Sequence, residues 1–192
     1  DNITISNSTF TGSYRAIDLN NCDSAQIFNN TIDMFGERGI YYDNSDDILI
    51  QGNTITGVFT NSGNNRFGIY GDNNSNDGVI RGNSIDLART DSYGISVYCI
   101  YNIYDALIED NVVTARGTGT SSQYYTYALT SIYGCDIQNN AITSHGRNSD
   151  YGVRIYCGNQ PSTVTGNTFT FMHGNPSLYI NSCSNRTVEV YD

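Results

Sequence analysis

One hexapeptide recurs seven times and constrains the fold more than any other feature of the chain. Aligned on its first apolar residue it reads ISNSTF from Ile5, IFNNTI from Ile27, IQGNTI from Ile50, IRGNSI from Ile80, IEDNVV from Ile108, IQNNAI from Ile137 and VTGNTF from Val164. Successive copies begin 22, 23, 30, 28, 29 and 27 residues apart. The fourth position is Ser8 in the first copy and asparagine in the other six: Asn30, Asn53, Asn83, Asn111, Asn140 and Asn167. A second apolar segment, opened by a small residue, falls between copies: AIDL from Ala16, GIYY from Gly39, GIYG from Gly68, GISV from Gly94, ALTS from Ala128, GVRI from Gly152 and SLYI from Ser177. Short in-and-out alternation broken by Gly and Asn describes strands joined by sharp turns. A unit this small cannot bury its apolar face alone. Units must therefore stack, each strand pairing in parallel with its equivalent about 4.8 Å along an axis.

These repeats resemble those of the pectate-lyase-like superfamily of right-handed parallel β-helices, and the resemblance spans essentially the whole chain. It implies an all-β, single-stranded right-handed parallel β-helix (solenoid) of about seven to eight coils, forming one domain over residues 1–192. It further implies that the recurring asparagines form an internal ladder, each amide bonding to the next coil, since buried amides are tolerated only when paired. Carried onto this chain, the three-strand coil puts Ile5 and its equivalents on the second strand. Phe10, Ile32, Ile55, Ile85, Val113, Ile142 and Phe169 fall on the third, and the AIDL-type segments on the first strand of the following coil.

Composition narrows the chemistry. All 9 basic residues are Arg, so Schiff-base and P-loop lysines are excluded, and 19 acidic residues bring the net charge to −10. That balance argues against a nucleic-acid partner, which needs a basic footprint. No apolar run approaches a membrane span of about 18 residues. Much of the polar surface comes from 25 Asn, and the Asn-x-Ser/Thr triplets at Asn2, Asn7, Asn29, Asn73 and Asn185 read as repeat chemistry rather than glycosylation sites. The five cysteines sit at repeat positions. Cys22 matches Cys183 and Cys99 matches Cys157, but intervening coils would hold Cys99 and Cys157 about 10 Å apart, beyond disulfide reach. Buried free thiols are expected instead. Strand pattern begins at Asn2–Ile5 and persists to Thr187–Val190, without terminal caps, so the chain is expected either to be part of a longer protein or to stack end to end.

In the superfamily the substrate groove runs along the outward side chains of the first strand. The outward series after the apolar anchor is expected to be Asp18, Tyr41, Tyr70, Ser96, Thr130, Arg154 and Tyr179, and two residues further Asn20, Asp43, Asp72, Tyr98, Ile132, Tyr156 and Asn181. Asp18, Tyr41, Tyr70, Tyr98, Tyr156 and Tyr179 are the glycan-binding candidates. Three long loops, Gly57–Phe67, Thr114–Tyr127 and Thr143–Tyr151, are expected beside this strip.

Asp43 and Asp72 share a register on adjacent coils, at the spacing of a retaining glycosidase pair or a calcium site; a solvated acidic pair is the plainer reading. Ser149–Ile155 resembles the stretch around the substrate-binding Arg of polygalacturonases, with His145 nearby, which makes Arg154 the third catalytic candidate. Ser96 and Thr130 stand where the catalytic acids of that family would be, and Tyr156 replaces its Lys. Arg154 lies three coils from Asp72, a poor arrangement for an eliminating lyase. Neither His145 nor His173 has a partner at zinc-ligand spacing. Stacked Thr rows on the third strands resemble the ice-binding faces of some solenoid antifreeze proteins, but Thr also simply favours strands.

Two functions follow. The first is an extracellular structural or adhesive module of a surface layer, sheath, fibre or spike, able to self-assemble and without catalysis or a required cofactor. The second is a carbohydrate-active enzyme, a polysaccharide lyase or glycoside hydrolase, or a glycan-binding module using the Tyr/Asp/Arg strip with polysaccharide as partner.

Overall fold

The computed structural model describes residues 2–34, 36–60, 63–72, 75–90, 95–117, 125–145, 152–156, 161–171, 178–181 and 188–191. These residues form three parallel sheets and, among the described residues, no helix. The second strands, from Thr4–Ser6 to Val188–Tyr191, make an eight-stranded sheet. The third strands, from Thr9–Thr11 to Thr168–Phe171, and the first strands, from Arg15–Asn20 to Leu178–Asn181, make two sheets of seven. Each strand pairs in parallel with its equivalents in the neighbouring coils, Ile27 with Ile50, Ile32 with Ile55 and Ile40 with Ile69. The architecture is the all-β parallel solenoid that the repeat implies.

The hexapeptide works because each position meets a distinct backbone demand. Its first and last residues point inward as stacked apolar rows, Ile27, Ile50, Ile80, Ile108, Ile137 and Val164 on one sheet and Ile32, Ile55, Ile85, Val113 and Ile142 on another, all buried. Each such side chain contributes about 1.5–3 kcal/mol by leaving water. The third position turns the corner in the left-handed region. Asn7, Asn29, Gly52, Gly82, Asp110, Asn139 and Gly166 all have positive φ, between 50° and 63°, and only Gly, Asn and Asp adopt it at low cost.

The fourth position lies inside the corner. Asn30, Asn53, Asn83, Asn111 and Asn140 are fully buried, and each donates from Nδ2 to the Oδ1 of the next, ending at Asn167, over distances of 2.9–3.0 Å. The same Oδ1 atoms accept from the backbone N–H of the preceding asparagine. The second Nδ2 proton goes to a backbone carbonyl of the preceding coil, as from Asn83 to Ile50 O at 2.9 Å. From Asn53 to Asn140 no bonding capacity is left over, whereas a lone buried amide would cost about 1–3 kcal/mol.

The small residue opening each first strand also has a steric cause. A Cβ on Gly39 would come 2.7 Å from Gly68 O, and one on Gly68 would come 2.6 Å from Cys99 O. Cys99 occupies this slot in the fourth coil, because Tyr98 and Ile100 pair with Phe67 and Ile69, which sets Cys99 against Gly68. The Gly94 opener expected from the sequence is therefore displaced by five positions. The thiol is small and apolar enough to fill a glycine's place, whereas a search for a Gly–Ile pair finds Gly94 first.

The expected loops are also shorter than the pattern suggests. Third strands run on to Thr54–Phe59, Ser84–Arg89, Val112–Gly117 and Ala141–His145, so the three expected loops open three or four residues later than expected. Phe59, Leu87 and Ala115 are buried there beneath the first-strand sheet. Cys22, Cys99 and Cys135 are free thiols, while Cys157 and Cys183 lie outside the described residues. So do Gly94 itself, His173, the Ser149–Tyr151 stretch and the sequons at Asn73 and Asn185.

Candidate functional site

The first-strand sheet carries on its outer face the densest aromatic surface of the described structure. Its central row runs Asp18, Tyr41, Tyr70, Tyr101, Thr130, Arg154 and Tyr179 in consecutive pairing. Six members of the expected strip, Asp18, Tyr41, Tyr70, Thr130, Arg154 and Tyr179, are thus brought into one line. Ser96 is not among them. It is buried at the corner before the strand, where its N–H donates to Asn65 Oδ1 and its Oγ accepts from the Tyr125 N–H, both at 3.1 Å. Tyr101 holds its expected place.

Two further aromatic rows flank the first. Phe67, Tyr98 and Tyr127 pair in register, with Phe67 and Tyr98 stacked at 5.1 Å and Tyr98 and Tyr127 at 5.6 Å. On the other side Tyr104, Tyr133 and Tyr156 stack at 4.5 and 5.4 Å. Ile132, expected to face outward, is buried between Ile103 and Ile155. Contacts of Tyr101 with Phe67, Tyr70 and Tyr98, all near 5 Å, join the first two rows. Such offset and edge-on arrangements are the favoured ones for aromatic quadrupoles.

Sequence reasoning missed Phe67, Tyr101, Tyr104, Tyr125, Tyr127 and Tyr133. A signal was present: Tyr98-x-x-Tyr101-x-x-Tyr104 and Tyr127-x-x-Thr130-x-x-Tyr133 repeat at a spacing of three. Strict strand alternation, with its period of two, conceals it.

Charge on the face is sparse and mostly neutralised. The Arg38 guanidinium lies 4.0 Å from the Tyr41 ring centre and 4.7 Å from that of Tyr70, and Arg15 pairs with Asp18 at 2.7 Å. Arg154 stands 4.8 Å over Tyr156 and 5.5 Å over Tyr179. Burial, then the Asp72 charge, pushes the Tyr41 and Tyr70 phenols above their usual range, and burial does the same to Tyr98. These rings therefore present neutral hydroxyls at physiological pH.

Asp43 and Asp72 do pair in register on adjacent coils. Asp72 Oδ2 accepts hydrogen bonds from the hydroxyls of Tyr70 at 3.1 Å and Tyr41 at 3.3 Å, and Asp43 Oδ2 accepts one from Asn20 at 3.4 Å. Asp72 therefore anchors the tyrosine row. A calcium ion takes about six to eight oxygens, and among the described residues no three His, Cys, Asp or Glu side chains converge.

Two clefts indent the face. One of about 410 Å³ is lined by Tyr98, Tyr101, Tyr125, Tyr127, Thr130 and Ser131, with Arg154 and Tyr156 from the following coil. The other, of about 540 Å³, lies toward the earlier coils between Glu37, Arg38, Asn64, Asn65, Phe67 and Tyr70. Flat neutral rings beside hydroxyls, amides and one or two cations form a surface suited to hydroxyl-rich ligands with apolar ring faces.

A family described as right handed beta helix region matches residues 1–113, more than half of the chain. The chain belongs to the right-handed β-helix family. Among solved structures, this β-helix is similar to the crystal structure of PfbA, a surface adhesin of Streptococcus pneumoniae, with 19% identity and a TM-score of 0.55 over 92% of this chain and 45% of that one. A second structure of the same pneumococcal surface protein and adhesin aligns at 16% identity and a TM-score of 0.46, over 98% of this chain and 49% of that one. The β-helix thus spans just under half the length of the structures it matches, and the likeness is one of fold. No curated protein matches the chain.

Proposed function

We propose that this β-helix is an adhesive module of a cell-surface protein, and that its tyrosine face holds polysaccharide. The observation that carries the reading is the continuous run of rings from Tyr41 through Tyr70, Tyr101 and Tyr98 to Tyr127, each within 5.6 Å of the next, indented by clefts of saccharide size. Tyrosine supplies contact area at low conformational cost and offers a hydroxyl at its edge, the combination favoured in recognition surfaces. The fold it shares with a surface adhesin is consistent with this setting. Adhesion is preferred to catalysis because the strip's paired carboxylate, Asp72, is occupied in holding Tyr41 and Tyr70.

A glycan array, followed by calorimetry on each retained oligosaccharide with and without calcium, tests the reading. Tyr98→Ala and Tyr101→Ala are each expected to weaken binding about tenfold or more, as central aromatic contacts do. An array without retained glycans, or binding unchanged in both variants, overturns the proposal. Turnover of a retained glycan would move the chain to the carbohydrate-active enzymes.

A further inference from the structure

Twelve described non-glycine residues have positive φ, and ten of them stand in the turns between strands. The other two, Asn102 at 58° and Ser131 at 56°, lie inside strands, Val97–Tyr104 and Thr126–Tyr133. Asparagine tolerates the left-handed region, and Asn102 has local uses for its side chain. Its Nδ2 donates to Gly71 O at 2.8 Å and its Oδ1 accepts from the Tyr104 hydroxyl at 3.2 Å. Serine tolerates that region less well. Ser131 is therefore strained at a mid-strand position where glycine would be relaxed.

The register shows what the extra residue accomplishes. Thr130 pairs with Arg154 and Ile132 with Ile155, so Ser131 has no partner on the following strand. The bulge turns Ile132 inward, carries Tyr133 into the row of Tyr104 and Tyr156, and leaves Ser131 beside Thr130 in the lining of the smaller cleft. The following coil covers the same stretch, Arg154–Tyr156, with one residue fewer, while the preceding coil, Tyr101–Tyr104, matches Thr130–Tyr133 residue for residue. Bulges that border sites re-aim side chains, and strain kept in a scaffold this regular points to a use other than folding. Ser131 lines the cleft, and its hydroxyl can both donate and accept there.

We propose that Ser131 is the residue that selects the sugar. A pyranose held in the smaller cleft beside Tyr98, Tyr101 and Tyr156 places one ring hydroxyl against Ser131 Oγ, so that epimers at that carbon, and the deoxy sugar, fit less well. This rests on the saccharide-binding reading above and adds to it the residue that sets specificity.

The test uses the whole chain as Ser131→Gly, which keeps the positive φ and the bulge while removing the hydroxyl. Wild type and variant are titrated with hexasaccharides of glucose, galactose, mannose and N-acetylglucosamine and with singly deoxygenated analogues of the best binder. Wild type is expected to prefer one epimer by about tenfold or more over its counterpart and over the matching deoxy analogue, the discrimination typical of a polar contact to a substrate hydroxyl. Ser131→Gly is expected to melt at or above the wild-type temperature, still to bind, and to lose that preference to within about twofold. A variant that keeps the wild-type preference overturns this inference and leaves the adhesion reading standing. A wild type that binds none of the saccharides overturns both.

Discussion

Cys135 makes the folded chain sensitive to alkali. The thiol is fully buried; the Ala106 N–H donates to its Sγ at 3.4 Å, and the thiol donates to Tyr133 O at 3.4 Å. Burial pushes its pKa from 9.0 up to about 12. Between those values the unfolded chain releases the proton while the folded chain keeps it. The unfolded state binds fewer protons there, so the stability is fully present below about pH 9 and is lost as pH rises toward 12. One such group gives a slope of up to about 1.4 kcal/mol per pH unit, and the buried Cys99 thiol and Tyr42 phenol shift in the same direction. Urea midpoints measured from neutrality upward should fall above about pH 9, and Cys135→Ala should reduce the slope. A flat profile would show that the thiol gains solvent in the folded state.

At the scale of the element, the first strand depends on a small residue at its opening. A methyl group on Gly68 would meet the backbone carbonyl of Cys99 at 2.6 Å, with Ile85 and Leu87 side chains at 3.2 and 3.3 Å. The carbonyl belongs to a paired strand and cannot move alone. Gly68→Ala is expected to destabilise by about 1–3 kcal/mol, as overpacking does, seen as a lower urea midpoint at unchanged slope. Gly82 is the control. It has φ of 60° and open space around its Cα, so Gly82→Asn, a residue already used at the equivalent turn positions Asn29 and Asn139, should cost less than about 1 kcal/mol. Equal losses at the two positions would contradict the packing argument.

For the whole molecule, stacking makes stability approximately a sum over coils and their interfaces. Val79 pairs with Leu107 and Ile80 with Ile108, so removing Ile80–Leu107, 28 residues, joins Val79 to Ile108 in equivalent register. The apolar rows and the asparagine row close over the gap, Asn53 meeting Asn111. The shortened chain is expected to keep its strand signature in circular dichroism and to unfold cooperatively with a lower m-value, in proportion to the surface no longer buried. It also loses Tyr98 and Tyr101, and with them saccharide binding. A deletion that fails to fold would mean that the coils are not interchangeable units.

The local periodicity of the chain was enough to determine the solenoid. Each hexapeptide position meets a demand that repeats every coil: inward apolar residues, a left-handed corner filled by Gly, Asn or Asp, and an amide inside the corner. Asp18, Tyr41, Tyr70, Arg154 and Tyr179 were legible for the same reason, since alternation from a known inward residue gives the outward one. Only the tertiary structure decided the fourth and fifth coils. There Cys99 fills a slot held by Ala16, Gly39, Gly68, Ala128 and Gly152 in other coils, and a bulge at Ser131 shifts the register, so that counting from Gly94 and then by two assigns Ser96 and Ile132 to a surface they do not reach. The cleft lies at that interruption. A bulge is a relation between neighbouring strands, visible in the pairing of Thr130 with Arg154 and Ile132 with Ile155, and a sequence read one coil at a time does not contain that relation.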